Sequence, residues 1–205
     1  MKPLLLITAL LLLSSANPCI ARPQAVRGEW KIERGNKSGY KTDNSPAQDI
    51  YRNAMNYYNG TNGYDRDEKK AITLLNEAAA QGNRLALYQL GNCYRYGNGV
   101  KIDKKKAAEY WQQSADAGCA EAQYELGYLY YKGDGVKRNY TRAIELFSKS
   151  ADTGNAPALY MLGTCYYDGT GVERDRQLAI RYWGKAADKG NRKAKEKLKE
   201  HSITD

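Results

Sequence analysis

The sequence predicts an all-α fold in which short antiparallel helix pairs stack into a solenoid. Three consecutive segments of 36 residues, 84–119, 120–155 and 156–191, carry the same pattern of apolar and glycine positions. Within each segment, apolar residues recur at spacings of three and four, which is typical of one face of a helix. A fixed period of this length indicates a solenoid, because each unit is too small to bury its own apolar face and packs on its neighbours.

Columns of matching residue types define the repeat. A weaker copy covers residues 48–83, where Ala54 and Met55 replace a Leu-Gly pair, and such drift is expected of a terminal repeat. The columns of the three strong copies are Leu90, Leu126, Leu162; Gly91, Gly127, Gly163; Tyr94, Tyr130, Tyr166; Gly99-Val100, Gly135-Val136, Gly171-Val172; Ala107, Ala143, Ala179; Trp111, Phe147, Trp183; Ala115, Ala151, Ala187; and Gly118, Gly154, Gly190.

Start and stop signals divide each segment into two helices. Gly97, Gly133 and Gly169 are expected to end the first helix, since glycine tolerates the left-handed conformation of a C-terminal cap. Three polar residues stand where an N-cap would accept hydrogen bonds from the second helix; these are Asp103, Asn139 and Asp175. Residues 192–205 are highly charged, with Ala194 and Leu198 four residues apart, and predict a capping helix whose basic run faces solvent.

The first 47 residues are predicted to lie outside the solenoid. Residues 1–21 read as a signal peptide, because Lys2 precedes the apolar run Leu4–Leu13 and small residues allow cleavage after Ala16 or Ala21. Lipidation at Cys19 is an alternative that the preceding Asn-Pro disfavours. Residues 22–47, called the leader below, are polar and charged and predict a flexible segment with Trp30 as its main apolar residue. We therefore expect a secreted or periplasmic protein.

Charge and cysteine content narrow the function classes. The 32 basic and 23 acidic residues give a formal charge of +9, which favours acidic partners or anionic surfaces. No continuous basic stripe is present and a signal peptide leads away from nucleic acid, so we predict no nucleic-acid partner. Cys93 and Cys165 share a column two repeats apart, a separation of roughly 20 Å in stacked helices, and Cys119 lies elsewhere in the repeat. Free, mostly buried thiols are expected at all three positions.

These columns resemble those of the Sel1-like repeat family, which is related to the tetratricopeptide repeat by its helix pair. The resemblance covers about Gln48–Asn191, with three strong copies and one weak copy. It implies a right-handed α-solenoid that acts as a scaffold or adaptor, often in bacterial periplasms, on cell surfaces or in secretory-pathway degradation complexes. A cysteine-rich branch of the family, linked to β-lactam binding, staples each repeat with paired cysteines, and this chain lacks that pattern.

The sequence contains few residue combinations that could support catalysis. His201 is the only histidine and lies in the tail, which rules out Ser-His and Cys-His pairs on the body of the fold. The usual metal clusters and CxxC motifs are absent, so we predict no enzyme, no metal and no cofactor. Asp134 and Asp168 lie near the glycine turns and are interpreted as solvated loop carboxylates.

A binding surface is predicted on the first helix of each repeat, which lines the concave side of such solenoids. The chain has 18 tyrosines and a single phenylalanine. This bias favours aromatic rings with a polar hydroxyl group, which suit surfaces that are partly exposed to water. Tyr88, Tyr124 and Tyr160 recur in register, so a structural position is the alternative interpretation for them. Arg95 and Lys132 could hold a carboxylate. By analogy with tetratricopeptide geometry, the exposed positions are Tyr88, Asn92, Arg95, Tyr96, Tyr124, Tyr128, Tyr131, Lys132, Tyr160, Thr164, Tyr167 and Asp168.

The sequence leaves three functions open. The first is a non-enzymatic adaptor that binds a protein or extended peptide in the tyrosine-lined groove. The second, suggested only by the cysteine-rich branch of the family, is a hydrolase or binder of cell-wall or β-lactam compounds. The third, a special case of the first, is a regulatory subunit that holds a membrane sensor inactive.

Overall fold

The computed structural model describes residues 45–202, and this part of the chain is helical throughout with short connections. The predicted signal peptide, most of the leader and residues 203–205 lie outside the described residues. The first helix begins at Pro46, two residues before the predicted start of the weak repeat. The helices are α1 (Pro46–Asn59), α2 (Glu68–Ala80), α3 (Arg84–Tyr96), α4 (Lys104–Asp116), α5 (Ala120–Lys132), α6 (Tyr140–Asp152), α7 (Ala156–Asp168), α8 (Arg176–Asp188) and α9 (Arg192–Ser202).

Each 36-residue repeat is one helix pair, and each helix packs against its neighbours in sequence. The pairs are α1–α2, α3–α4, α5–α6 and α7–α8, and α9 packs on α8 as a cap. This is the all-α solenoid that the sequence predicts. Within residues 45–202, no helix is both long and apolar enough to cross a membrane.

The predicted helix signals are confirmed at both ends. Gly97, Gly133 and Gly169 adopt the left-handed conformation directly after the first helices. Asp103 accepts a hydrogen bond from the backbone N–H of Lys106 at 3.0 Å, and Asn139 and Asp175 cap α6 and α8 in the same way. The sequence analysis missed a second set of caps, because Asn83, Asn155 and Asn191 cap the next helix with their side chains. Cys119 occupies the equivalent position before α5 and makes no side-chain cap bond.

The core of each of the three strong repeats is built around one large ring and one glycine. Trp111 is fully buried, and its ring lies against Gly91, where an added Cβ would stand 2.3 Å from the ring Cδ1 atom. The same close approach joins Gly163 to Trp183 and, with a phenylalanine ring, Gly127 to Phe147. In the first repeat the glycine column holds Met55 and the ring column holds Leu75. The larger residue on one helix is therefore matched by a smaller one on the other, which keeps this weak copy packed.

The second glycine of each turn joins neighbouring repeats. Gly99, Gly135 and Gly171 have positive φ angles, and each lies directly on the beginning of the second helix of the preceding repeat. An added Cβ at Gly135 would stand 2.7 Å from the Lys104 Cβ atom, and one at Gly171 would stand 2.5 Å from the Tyr140 Cβ atom. Only glycine fits these positions, both for its backbone conformation and for the space available.

The cysteines differ from the expectation at one position. Cys93 and Cys165 are free and buried, and burial raises the pKa of each thiol to about 12, so both are protonated and inert at neutral pH. Cys119 is disulfide-bonded, so the prediction of a free thiol there was wrong. In the sequence, Cys93, Cys119 and Cys165 were compared only with one another. That comparison excludes a disulfide between any two of them, but it does not exclude a disulfide from Cys119 to a different partner.

Candidate functional site

An open depression of about 590 Å³ lies on the side of the solenoid formed by the first helices. It is lined by α5, α7 and the beginning of α9, and we call it the groove. Six of the twelve predicted binding residues surround it: Tyr124, Tyr128, Tyr131, Lys132, Tyr160 and Thr164. Pro157, Met161, Asn191, Arg192 and Lys193 also line the groove and were not predicted. The volume falls within the range of about 300–1,000 Å³ that is usual for ligand sites.

The tyrosine rings of the groove are anchored in the core at one edge. The ring centroid of Tyr124 lies 6.0 Å from that of buried Phe147 and 6.3 Å from that of Tyr128. Tyr131 contacts Tyr140 edge to face, with centroids 5.5 Å apart. Burial raises the pKa of Tyr124 to about 12 and also raises that of Tyr131, so both phenols are neutral at physiological pH. The rings therefore offer a rigid, half-buried surface with hydroxyl groups that can donate or accept hydrogen bonds.

Three basic side chains line the groove. The Nζ atom of Lys132 lies 5.8 Å from the ring centroid of Tyr128 and 5.9 Å from that of Tyr131. Arg192 and Lys193 begin α9 and are exposed, and Arg192 has one loose ion pair with Glu196 at 3.6 Å. The sequence contained a signal for this pair in the basic run of residues 192–199, which we interpreted as a solvated face. The beginning of that run is indeed exposed, and it also faces the groove.

Other predicted residues lie outside this depression. Tyr88 belongs to the buried core, which favours the structural interpretation for this member of its column. Tyr167 packs against Trp183 and His201, with ring centroids 5.2 Å and 4.7 Å away. Asn92 donates a hydrogen bond to Gln89 at 3.4 Å, and Asp168 is exposed at the end of α7. Tyr96 is 62% exposed at the end of α3.

Arg95 is engaged in an ion pair that the sequence did not indicate. Its Nη1 atom lies 2.6 Å from Oδ2 of Asp134, and the Nζ atom of Lys104 lies 2.8 Å from Oδ1 of the same carboxylate. Hydrogen bonds from Lys104 and then Arg95 lower the pKa of Asp134. The interpretation of Asp134 as a merely solvated carboxylate was therefore wrong, since it joins the second and third repeats. A ligand carboxylate at Arg95 would have to compete with Asp134.

Glu125 is a functional candidate that the sequence analysis missed. It lies on α5 one residue after Tyr124 and is half-buried. Desolvation raises its pKa to about 7, while the charge of Arg95 acts in the opposite direction. The negative charge of Glu125 in turn raises the pKa of Tyr88, Tyr96 and Tyr124, so these three phenols lie close to it. In the sequence Glu125 aligns with Gln89 and Met161, and this mixed column did not indicate that Glu125 would be buried.

The arrangement is suited to binding. Among residues 45–202, no group of three or more His, Cys, Asp or Glu side chains is placed to hold a metal ion. The groove instead combines aromatic surface, neutral hydroxyl groups and separated charges. These features recognise a ligand by shape, hydrogen bonding and charge.

The repeat pattern identifies the family. The profile of the Sel1 repeat matches four consecutive segments, 49–83, 84–119, 120–155 and 156–191, which together make up more than half of the chain. The chain belongs to the Sel1 repeat family. Proteins of this family are generally non-enzymatic scaffolds that mediate protein–protein interactions.

Solved structures of Sel1 repeat proteins share the fold. A Sel1 repeat protein from Oxalobacter formigenes is 30% identical with a TM-score of 0.70, and the match covers 74% of this chain and 62% of that one. The protein c5321, a protective antigen of uropathogenic Escherichia coli, is 32% identical with a TM-score of 0.70 over 72% of this chain and 32% of that one. The immunity protein Pa5087 from Pseudomonas aeruginosa is 25% identical with a TM-score of 0.51, over 73% and 56% of the two chains.

This chain therefore spans less than two thirds of the length of each of these three proteins. No curated protein shows significant similarity to it.

Proposed function

We propose that this protein is a non-enzymatic adaptor that binds a protein or an extended peptide in the groove, in the periplasm or outside the cell. The observation that carries the proposal is the groove itself, where the rings of Tyr124, Tyr128, Tyr131 and Tyr160 meet the basic residues Lys132, Arg192 and Lys193. Tyrosine is enriched among the residues that dominate binding energy at protein interfaces. The proposed location is supported only by the signal-like residues 1–21.

The charge of the groove favours a partner with acidic groups. Lys132 and Lys193 form no ion pair within the described residues, and Arg192 has only its loose contact with Glu196. A carboxylate of the partner would therefore find charge-assisted hydrogen-bond donors beside aromatic surface. The groove is open to solvent and extends from α5 across α7 to the beginning of α9, so an extended segment can lie in it.

The proposal is tested by in-cell crosslinking and pull-down of the tagged mature chain beside the double variant Tyr128→Ala, Tyr131→Ala. Each central tyrosine is expected to contribute about 1–2 kcal/mol to binding, so the double variant loses the partner. The matched control is Tyr94→Ala, Tyr110→Ala, which removes a stacked ring pair outside the groove, with centroids 5.5 Å apart. This control is expected to retain the partner.

A charge variant separates binding from folding. Tyr131 packs partly on the core, whereas Lys132 is exposed and can be changed to glutamate without loss of packing. Lys132→Glu is expected to weaken partner capture while its thermal melt stays that of the wild type. Capture of the same partner at wild-type level by both groove variants would show that the groove is not the binding surface.

A further inference from the structure

Cys119 occupies a column that otherwise holds asparagine. Asn83, Asn155 and Asn191 stand directly before α3, α7 and α9, and each caps the following helix with its side chain. The side chain of Asn83 also donates a hydrogen bond to the carbonyl of Ala47 at the start of α1, at 3.3 Å. Cys119 makes no cap bond before α5, and the loss of a helix cap is destabilising. Another interaction of Cys119 is therefore expected to compensate.

That interaction is a disulfide bond, and the cysteine content of the chain identifies its partner. Cys119 is disulfide-bonded and fully buried. The chain has four cysteines, of which Cys93 and Cys165 are free. The remaining cysteine is Cys19, which lies outside the described residues. A bond to a second copy of the chain is disfavoured, because the sulfur of Cys119 is not exposed at the surface of the solenoid.

We propose that Cys19 and Cys119 form an intramolecular disulfide bond, which ties the chain before the leader to the junction of the second and third repeats. This inference goes beyond the adaptor function, because it concerns a covalent modification of the chain itself. Bond formation removes two protons and two electrons from the two thiols. A disulfide of a thiol oxidase in the exported compartment accepts them and becomes a dithiol. Such bonds persist in the periplasm and outside the cell.

The starts of the first helices lie along one edge of the solenoid, which places Cys119 within reach of the N-terminal segment. The Asn83 side chain joins the start of α3 to the start of α1. The hydroxyl of Ser114 donates to the carbonyl of Arg84 at 2.8 Å, and the Ser114 carbonyl accepts from the backbone N–H of Cys119 at 3.0 Å. The start of α1 and Cys119 are therefore about two helix spacings apart, roughly 20 Å. Residues 20–44 can extend over about 80 Å, so they span this distance.

The surroundings of Cys119 favour the bonded state over the reduced state. The Sγ atom lies 3.7 Å from Oε2 of Glu121, whose side chain is itself buried. Burial and a neighbouring carboxyl group both disfavour the thiolate that reduction would release there. Burial also keeps external thiols away from this sulfur. The bond is therefore expected to form before the solenoid closes around Cys119 and to persist afterwards.

The bond also decides between the two cleavage sites that the sequence allows. Cleavage after Ala21 would remove Cys19, whereas cleavage after Ala16 leaves Cys19 in the mature chain. Lipidation would use the same sulfur and is incompatible with the bond. The mature chain is therefore expected to begin at Asn17 and to carry four cysteines.

The bond is tested on the chain expressed from its full precursor and purified from the exported fraction. The chain is denatured and alkylated with iodoacetamide, with and without prior reduction, and intact mass spectrometry counts the labels. Two labels are expected without reduction, at Cys93 and Cys165, and four after reduction. A tryptic map without reduction should show peptide 17–27 joined to peptide 107–132, and reduction should separate them.

A variant separates loss of the bond from loss of the fold. Cys119→Asn introduces the residue that caps α3, α7 and α9, so it is expected to fold with the far-UV circular dichroism of the wild type. It should carry three labels both with and without reduction, because Cys19 becomes a free thiol. The matched control is Cys93→Ala, which removes a free buried thiol. That control should carry one label without reduction and three after it.

Three results would overturn the bond. The first is a mature chain that begins at Cys19 or Arg22, and the second is an equal number of labels with and without reduction in the wild type. The third is a mass of two chains that reduction halves, which would place the bond between two copies. Each of these results leaves the groove residues unchanged, so the adaptor function would still stand on the pull-down.

Discussion

The second and fourth repeats have the same framework but differ in how their polar groups are satisfied. In both, a glycine of the first helix faces a buried tryptophan, with Gly91 against Trp111 and Gly163 against Trp183. The indole Nε1 of Trp111 donates a hydrogen bond to the backbone carbonyl of Tyr88 at 3.2 Å. Within residues 45–202, the indole Nε1 of Trp183 has no acceptor.

The equivalent carbonyl of the fourth repeat has a different partner. The carbonyl of Tyr160, equivalent to that of Tyr88, accepts a hydrogen bond from the hydroxyl of Thr164 at 3.1 Å. The Trp183 ring instead stacks on His201 of the capping helix, with centroids 5.6 Å apart and planes 10° apart. The comparison shows that the residues of the repeated columns determine how the helices pack. The residues between those columns determine the polar contacts, and they differ from repeat to repeat.

The largest expected effect on stability concerns the glycine–tryptophan contact that the two repeats share. Gly91→Ala and Gly163→Ala should each destabilise the fold by about 2–3 kcal/mol, since the new methyl group would overlap a buried ring. The matched control is Gly184→Ala within α8, where an added Cβ meets nothing within 4 Å. That variant should gain roughly 0.5–1 kcal/mol through helix propensity. Urea unfolding at fixed pH measures all three, and equal midpoints for Gly91→Ala and Gly184→Ala would contradict the shared framework.

A smaller effect should distinguish the two repeats. Trp111→Phe removes the donor to the Tyr88 carbonyl, whereas Trp183→Phe removes a buried N–H group that has no acceptor. The loss of ring volume is the same in both variants. Trp111→Phe should therefore cost about 1 kcal/mol more free energy of unfolding than Trp183→Phe. Thermal and urea unfolding of the two variants side by side provide the measurement, and the opposite order would refute the hydrogen-bond argument.

The smallest expected effect on stability concerns the ion pair that joins the second and third repeats. Asp134 joins Arg95 and Lys104, while the fourth repeat has Thr170 at the equivalent position. Asp134→Asn should cost about 0.5–1 kcal/mol at neutral pH, as expected of a partly exposed pair. The control is Asp188→Asn, an exposed residue at the end of α8, which should cost nothing measurable.

The pH dependence of that difference has a definite sign. Lys104 and Arg95 hold the pKa of Asp134 in the folded chain below its unfolded value near 4. The contribution of Asp134 to stability is therefore complete above that value and is lost as pH falls through the folded pKa. Wild type and Asp134→Asn should differ at pH 7 and converge near pH 2. A difference that persists at low pH would show that the carboxylate stabilises by packing instead of charge.

The fold was predictable because its determinants recur. A helix face, a left-handed glycine at position 97 and a capping aspartate at position 103 are local signals, and three in-register copies separate them from chance. The aromatic core position at Trp111 follows from the same period. Even the weak first repeat keeps the packing. Met55 is larger than the glycine of its column, and Leu75 is smaller than the ring of its column.

The binding surface was predictable only in part, because it depends on how one repeat is placed on the next. Arg95 and Asp134 are 39 residues apart, and no local pattern indicates their contact. Glu125 is half-buried although its column mixes Gln89 with Met161, so the repeat pattern did not indicate its burial. Arg192 and Lys193 enter the groove because the capping helix continues the line of first helices, which charge alone could not show.

The turn glycines also have a consequence for how such a gene can change length. Gly99, Gly135 and Gly171 each lie on the preceding repeat, so successive junctions use the same contact. Duplicating or deleting a whole unit of 36 residues would reproduce these junctions intact, whereas losing part of a unit that includes a turn glycine would break one. Inheritance can therefore lengthen or shorten the binding surface in discrete steps, and each added copy is free to acquire its own side chains.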